Sequence, residues 1–249
     1  MFDSISIPTI LVSYVALLFS LSVHEASHAS AAHLLGDDTA SSQGRMSLNP
    51  LVHMDPLGTV VFPLLGLIFG GFFIGWAKPV PFNPVYFTRK LRMKTSGALV
   101  SLAGPASNVL LSFIFLGVMC LSIRLSVPEV GDRWVLLQAA FRGPETLVKL
   151  GLPMGQVLLL GLGGALVFMN VLLAAFNILP LGPLDGAGVL RGVLPDHWLP
   201  KYDRLRYHPY TMPILFLLMM TGVIGLLLGP VRTFLYWVLN PVARLILGA

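Results

Sequence analysis

The sequence predicts an all-α integral membrane protein, a bundle of five to six transmembrane helices with a short extended or hairpin re-entrant segment. Three observations carry that prediction. Mean hydropathy is +0.82, and 55% of the 249 residues are hydrophobic while only 11% are charged. A soluble domain carries roughly 25% charged residues. Charge-free apolar runs approaching the ~20 residues needed to cross a bilayer recur along the chain. Finally, the polar connections between those runs are too short to fold as modules of their own. A soluble enzyme and a disordered or fibrous protein are excluded, and residues 1–249 read as one membrane domain.

The first apolar run covers residues 4–23. No basic region precedes it and it leads into charged chemistry, so it reads as a retained span rather than a cleaved signal peptide. Residues 36–56 are rich in Gly, Ser, Asn and Asp and predict turns or a short hairpin. The run at 56–77 is long enough to cross, but its glycines and Pro63 equally allow a re-entrant hairpin. Residues 76–84 carry Pro79, Pro81 and Pro84, which enforce an extended backbone able to pair only as an edge strand. Arg89, Lys90, Arg92 and Lys94 follow, the densest positive cluster in the chain and, by the positive-inside rule, cytoplasmic. Further spans are expected at 95–123, 150–184 and 207–231, with a partial span or interfacial helix at 233–243. Residues 124–149 and 191–206 are the longest polar connections. The chain is therefore expected to be a multi-pass protein of the cell membrane.

A net charge of +5 resides in these short loops, where it sets topology and meets anionic headgroups, so nucleic acid is not expected as a partner. The single cysteine, Cys120, lies in an apolar run and reads as a packing thiol.

Two acids stand where an acid is costly, Glu25 and Asp185, and ionisable groups at membrane depth point to function. Glu25 belongs to His24-Glu25-Ala26-Ser27-His28. At 100° per residue the two histidines lie about 40° apart on one helix face. That spacing lets both imidazoles bind one Zn²⁺, with Glu25 beside the open position as general base. Chance would produce the pattern about 0.006 times in a chain of this composition. A third ligand is needed. His33, nine residues from His24, falls half a turn away and faces elsewhere. Asp185 follows a 35-residue charge-free run broken by Pro180, Gly182 and Pro183. It fits either a metal ligand or the cap of a helix starting at Gly186. His53 and Asp55 fit a turn or a place near the site. Asn108, four residues after Gly104, fits an interhelical hydrogen bond. His197 and His208 read as interfacial.

Taken together, HExxH in the first span, Gly104-Pro105-Ala106-Ser107-Asn108, and Asn177-x-x-Pro180 leading to Leu184-Asp185-Gly186 resemble the site-2 protease family of intramembrane zinc metalloproteases. The stretches from Asn49 to Gly58 and from Gly75 to Pro81 are similar to its small bacterial and archaeal members without PDZ or CBS domains. The resemblance runs from the first span to about Arg191. It implies that His24, His28 and Asp185 ligate zinc, that Glu25 activates water and that Asn177 steadies the oxyanion. It also implies a metalloendopeptidase acting in regulated intramembrane proteolysis. The expected partners are the bilayer and a single-span membrane-protein substrate, whose unwound strand would pair with the edge at residues 76–84. The sequence leaves the oligomeric state open.

Two other readings compete. A metal transporter would place polar groups in several further spans, and beyond Glu25 and Asp185 the runs hold only scattered amides and hydroxyls. A catalytically silent module of the same fold would lack Glu25 or a ligand, and all are present. A membrane protease with a downstream Glu ligand is disfavoured because Glu129 and Glu145 both fall in a charged loop.

Overall fold

The structure, a computed structural model, describes residues 7–63, 75–221 and 223–248. The first helix, α1 (Ile7–Leu34), continues eleven residues beyond the predicted run because Ala26, Ala29, Ala31 and Ala32 favour helix while Ser27 and Ser30 bond back to their own turns. It stops at Gly36, whose φ of +99° accommodates the left-handed turn. Asp37 N–H reaches Ala32 O at 3.0 Å and Gly36 N–H reaches His33 O at 2.9 Å, closing the helix end in a Schellman motif.

The turn-rich stretch that follows holds a short helix, α2 (Thr39–Ser42), a 3₁₀ turn (Pro50–Val52) and a π turn (Pro56–Val61). Asn49 and Asp55 cap the latter two with their side-chain oxygens. Asp55 accepts from Leu57 N–H at 3.0 Å and Gly58 N–H at 2.7 Å, so its place is the turn rather than the metal cluster. The choice between a full crossing and a hairpin at 56–77 rests on residues 64–74, outside the described residues. Residues 75–83 are extended, as the prolines require, but they enter no strand ladder. The expected edge strand is absent among the described residues because the bonds a neighbouring strand would make go to side chains and to isolated carbonyls of Gly58 and His53.

Among the described residues, three helices are long and apolar enough to cross a membrane: α1, α3 (Met93–Ser126) and α6 (Met154–Asn177). Between the last two lie α4 (Val130–Arg142) and α5 (Pro144–Lys149), where a polar connection was expected. Their charges sit outward while Leu137, Ala139, Ala140 and Leu147 are buried against Val167 and Met119. The predicted run 150–184 ends as helix at Asn177 and turns through Pro180–Pro183 before α7 (Asp185–Val193) and α8 (Leu199–Arg206). The predicted span 207–231 is divided between α9 (Thr211–Met220) and α10 (Val223–Leu247), and 233–243 is the middle of α10 rather than a separate element. One arginine, Arg232, does not end an apolar helix, because its long stem lets the charge leave the apolar face.

α1, α3 and α6 pack on one another, with Ala16, Leu17 and Leu21 meeting Leu166, Met169 and Leu173. Their outward faces carry stripes such as Ile7, Leu11, Val15 and Phe19, placed for lipid. Cys120 is fully buried among them. Lys94 ties the start of α3 to the loop after α7 through Asp196, at 2.5 Å, and holds that exposed carboxyl below the usual carboxylate range.

Candidate metal centre and active site

Packing α1 and α7 on α3 brings Asp185 to two histidines that lie one turn apart on α1 and far from it in sequence. His24 Nε2 lies 3.0 Å and His28 Nε2 lies 3.3 Å from Asp185 Oδ2, and the two imidazole nitrogens are 3.1 Å apart. The other ring nitrogens are committed. His24 Nδ1 donates to Asn108 Oδ1 at 2.6 Å and His28 Nδ1 donates to Val100 O at 2.7 Å. Each histidine therefore turns a nitrogen that is free to act as a ligand toward the carboxylate. One proton can bridge one of the three contacts, not all of them. A single cation between the three satisfies them at once. Zinc fits, since bonds of 2.0–2.1 Å in a tetrahedron separate ligand atoms by about 3.3–3.4 Å. Asp185 makes no capping bond at the start of α7, so its carboxylate is available to the cluster.

The tautomer of His24 has a traceable cause. Asn170 Nδ2 donates to Leu166 O at 2.8 Å and to Ser20 Oγ at 2.9 Å. A carbonyl only accepts, so the Asn170 amide oxygen must face Asn108, which donates to it at 2.8 Å. Asn108 then presents its own oxygen to His24. All three polar side chains, Ser20, Asn108 and Asn170, are fully buried. Asn108 is the interhelical group expected of it. Ser20 and Asn170 were passed over as scattered polar residues. Two spacings could have revealed them: Ser20 is four residues before His24, and Asn170 seven before Asn177, each pair on one helix face.

Gly104 makes the assembly sterically feasible. A Cβ there would lie 2.4 Å from His28 Nε2 and 2.6 Å from His24 Cε1 and Nε2. The backbone of α3 thus forms a floor under both imidazoles.

Glu25 sits beside this cluster and accepts a hydrogen bond from Val80 N–H at 3.1 Å. The extended segment is pinned along its length. Lys78 N–H donates to His53 O at 2.8 Å, Arg45 Nη2 donates to Lys78 O at 2.5 Å and Pro79 O at 3.3 Å, and Asn83 N–H donates to Asp37 Oδ2 at 2.6 Å. Arg45, Asp37 and His53 are buried residues of the turn-rich stretch, and they hold the segment against Glu25. Of these, sequence reasoning singled out only His53. A lone arginine or aspartate among turn residues carries no spacing signal.

His24, Glu25, His28 and Asp185 share one cavity of about 330 Å³ with Val80 and Asn177. Asn177 reaches the cavity wall, and its Nδ2 donates to Leu173 O at 3.0 Å, leaving its second N–H. His33 pairs with Asp38 away from the cluster. His197 and His208 lie in the loops around α8, also away from it.

The profile of peptidase family M50 matches residues 12–221. The chain is 32% identical over 211 residues to YwhC of Bacillus subtilis, which bears the name of a candidate zinc metalloprotease, covering 85% of this chain and 80% of that one. Rip2 of Mycolicibacterium smegmatis, named in the same way, is 31% identical over 187 residues, 75% of this chain and 57% of its own length. Rip2 of Mycobacterium tuberculosis strain H37Rv is 28% identical over 203 residues, 82% of this chain and 63% of its own. This chain thus spans less than two thirds of either Rip2. No solved structure matches it. With apolar helices long enough for a bilayer, and two histidines and an aspartate that fit zinc, the chain belongs to peptidase family M50 and is a membrane zinc metalloprotease.

Proposed function

We propose that the protein is an intramembrane endopeptidase that cuts transmembrane segments of single-span substrates, as in regulated intramembrane proteolysis, with His24, His28 and Asp185 holding the zinc and Glu25 as base. The observation that carries this reading is the convergence of Glu25 and the three ligand groups on one cavity, with an apolar chamber beside it. That chamber, about 390 Å³, is lined by side chains such as Trp76, Phe176, Leu184, Pro213, Leu215 and Phe216. It shares Trp76, Phe176 and Leu184 with the catalytic cavity, so apolar substrate side chains have a place next to the reacting bond.

A zinc held there supplies Lewis acidity and brings the pKa of a bound water from 15.7 toward about 7. Glu25 takes the proton as water attacks the peptide carbonyl and returns it to the leaving amine. The free N–H of Asn177 is suited to the developing oxyanion, a role typically worth about 3–4 kcal/mol. Val80 N–H orients the Glu25 carboxylate for the transfer. Water has a route: a cavity of about 210 Å³ bearing Lys94, Arg191 and Asp203 shares Phe82, Ser101 and Arg206 with the catalytic one.

Position along α3 supports an intramembrane site. Val100 and Asn108 are seven and fifteen residues past Met93, about 10 and 22 Å along the helix axis. The site therefore lies at membrane depth below the Arg89–Lys94 cluster, which we place at the cytoplasmic face of a multi-pass cell-membrane protein of one domain.

The test compares wild type with Glu25→Gln in detergent, measuring zinc content and cleavage of single-span substrates. Zinc in both proteins with cleavage only by wild type is expected. Equal cleavage by both removes Glu25 as the base; cleavage of soluble polypeptides alone refutes the substrate class.

A further inference from the structure

A transmembrane helix that unwinds for cleavage frees carbonyl oxygens from their own N–H partners, and inside a bilayer each needs a new donor. The extended segment beside Glu25 is poor in donors. Pro79 and Pro81 have no N–H, that of Lys78 goes to His53 O, and that of Val80 goes to Glu25. Within residues 78–82 only the N–H of Phe82 is without a partner among the described residues. Pairing with this segment leaves most freed carbonyls unmet.

The lining of the same cavity holds a strong donor in Arg206, the last residue of α8. Its Nε is buried without a hydrogen-bond partner among the described residues. Among the described residues no carboxylate lies within 4.0 Å of its guanidinium. The acid one turn earlier, Asp203, is already engaged with Arg191 through two bonds of 2.8 and 2.9 Å. Among the described residues, the guanidinium of Arg206 makes only a ring contact, 5.3 Å from the centre of Tyr207.

Its position is set by the segment bearing Asp185. A Cβ at Gly182 would lie 2.8 Å from both Arg206 Cγ and Arg206 O, and one at Gly188 would lie 3.5 Å from Nη2. Those glycines, three residues to either side of Asp185, let the arginine approach the cluster. Guanidinium offers five N–H donors and no acceptor, and it cannot discharge itself by losing a proton. Left unpaired in a half-buried cavity, it is complementary to acceptor oxygens.

We propose that Arg206 binds main-chain carbonyl oxygens of the unwound substrate beside the scissile bond, making up for the few donors of the proline-bearing wall. This rests on the reading that the substrate is a transmembrane segment.

The test uses the full chain carrying Glu25→Gln, so that bound peptide is not consumed. Affinity for a fluorescent single-span peptide in detergent is read by anisotropy for Arg206, Arg206→Lys and Arg206→Met, alongside zinc content and thermal unfolding. With zinc and unfolding unchanged, the methionine variant is expected to bind about 10- to 100-fold more weakly, from the loss of charge-assisted bonds. The lysine variant, with one ammonium for the fork, falls between. Affinities within twofold for all three overturn the role of Arg206; that is also the result if the guanidinium serves a lipid phosphate. If the parent binds no single-span peptide and wild type cleaves none, the substrate reading itself is refuted, and the role of Arg206 with it.

Discussion

Gly104→Ala tests the floor under the histidines most directly. The added Cβ would lie 2.4 Å from His28 Nε2 and 2.6 Å from two atoms of His24, whereas ordinary contact begins at 3.4 Å. The imidazoles must retreat by about 1 Å, several times the ~0.2 Å by which metal–ligand distances normally vary. They cannot retreat separately, because Asn108 and Val100 O hold their far nitrogens. Overpacking of this kind costs about 1–3 kcal/mol of stability, but the sharper consequence is loss of zinc. Gly97→Ala is the matched control, since it lies on the same helix and its Cβ would meet nothing within 4 Å. Purified Gly104→Ala is expected to carry well below one zinc per chain and to cleave nothing, while Gly97→Ala retains both properties. A Gly104→Ala protein with full zinc content and wild-type cleavage would show that the histidines are not seated on this backbone.

Two further substitutions probe what surrounds the cluster. Asn170→Leu removes the acceptor that orients Asn108, so chelator competition should show zinc affinity falling about 10- to 100-fold; an affinity within twofold of wild type ends that account. Arg45→Met releases the carbonyls of Lys78 and Pro79, and kcat on a single-span substrate should fall about tenfold or more from misplacement of the segment. Zinc content should stay at the wild-type level, and equal kcat in the two proteins excludes Arg45 as a clamp.

How much of this was legible in the sequence follows from the distance over which each feature is encoded. The facing of His24 and His28 is a property of one helix, so spacing alone revealed it. Asp185 was readable only as a carboxylate after a broken apolar run, because the choice between cap and ligand depends on where packing on α3 sets the start of α7. The amide relay through Asn170 joins three helices, and a single Asn in an apolar run gives little sign of its partner. The errors in the fold have a common source. Arg232 and the charges of α4 were taken as boundaries, although a charge ends a helix only when no water or headgroup lies within reach of its stem. The prolines at 79 and 81 correctly predicted an extended backbone, but what such a segment pairs with is decided by Arg45, Asp37, His53 and Glu25, all distant in sequence.

The separation of 161 residues between His24 and Asp185 bears on how the enzyme is made. As the chain emerges from the ribosome, α1 enters the membrane with both imidazoles already on one face and Glu25 beside them. Asp185, the third ligand of the proposed site, is synthesised only after α3 and α6. Through that interval the nascent protein has the proposed base but lacks the carboxylate that would complete the proposed metal set. On that assignment, the order of synthesis would withhold proteolysis from neighbouring nascent helices until the helices that form the cavity are in place.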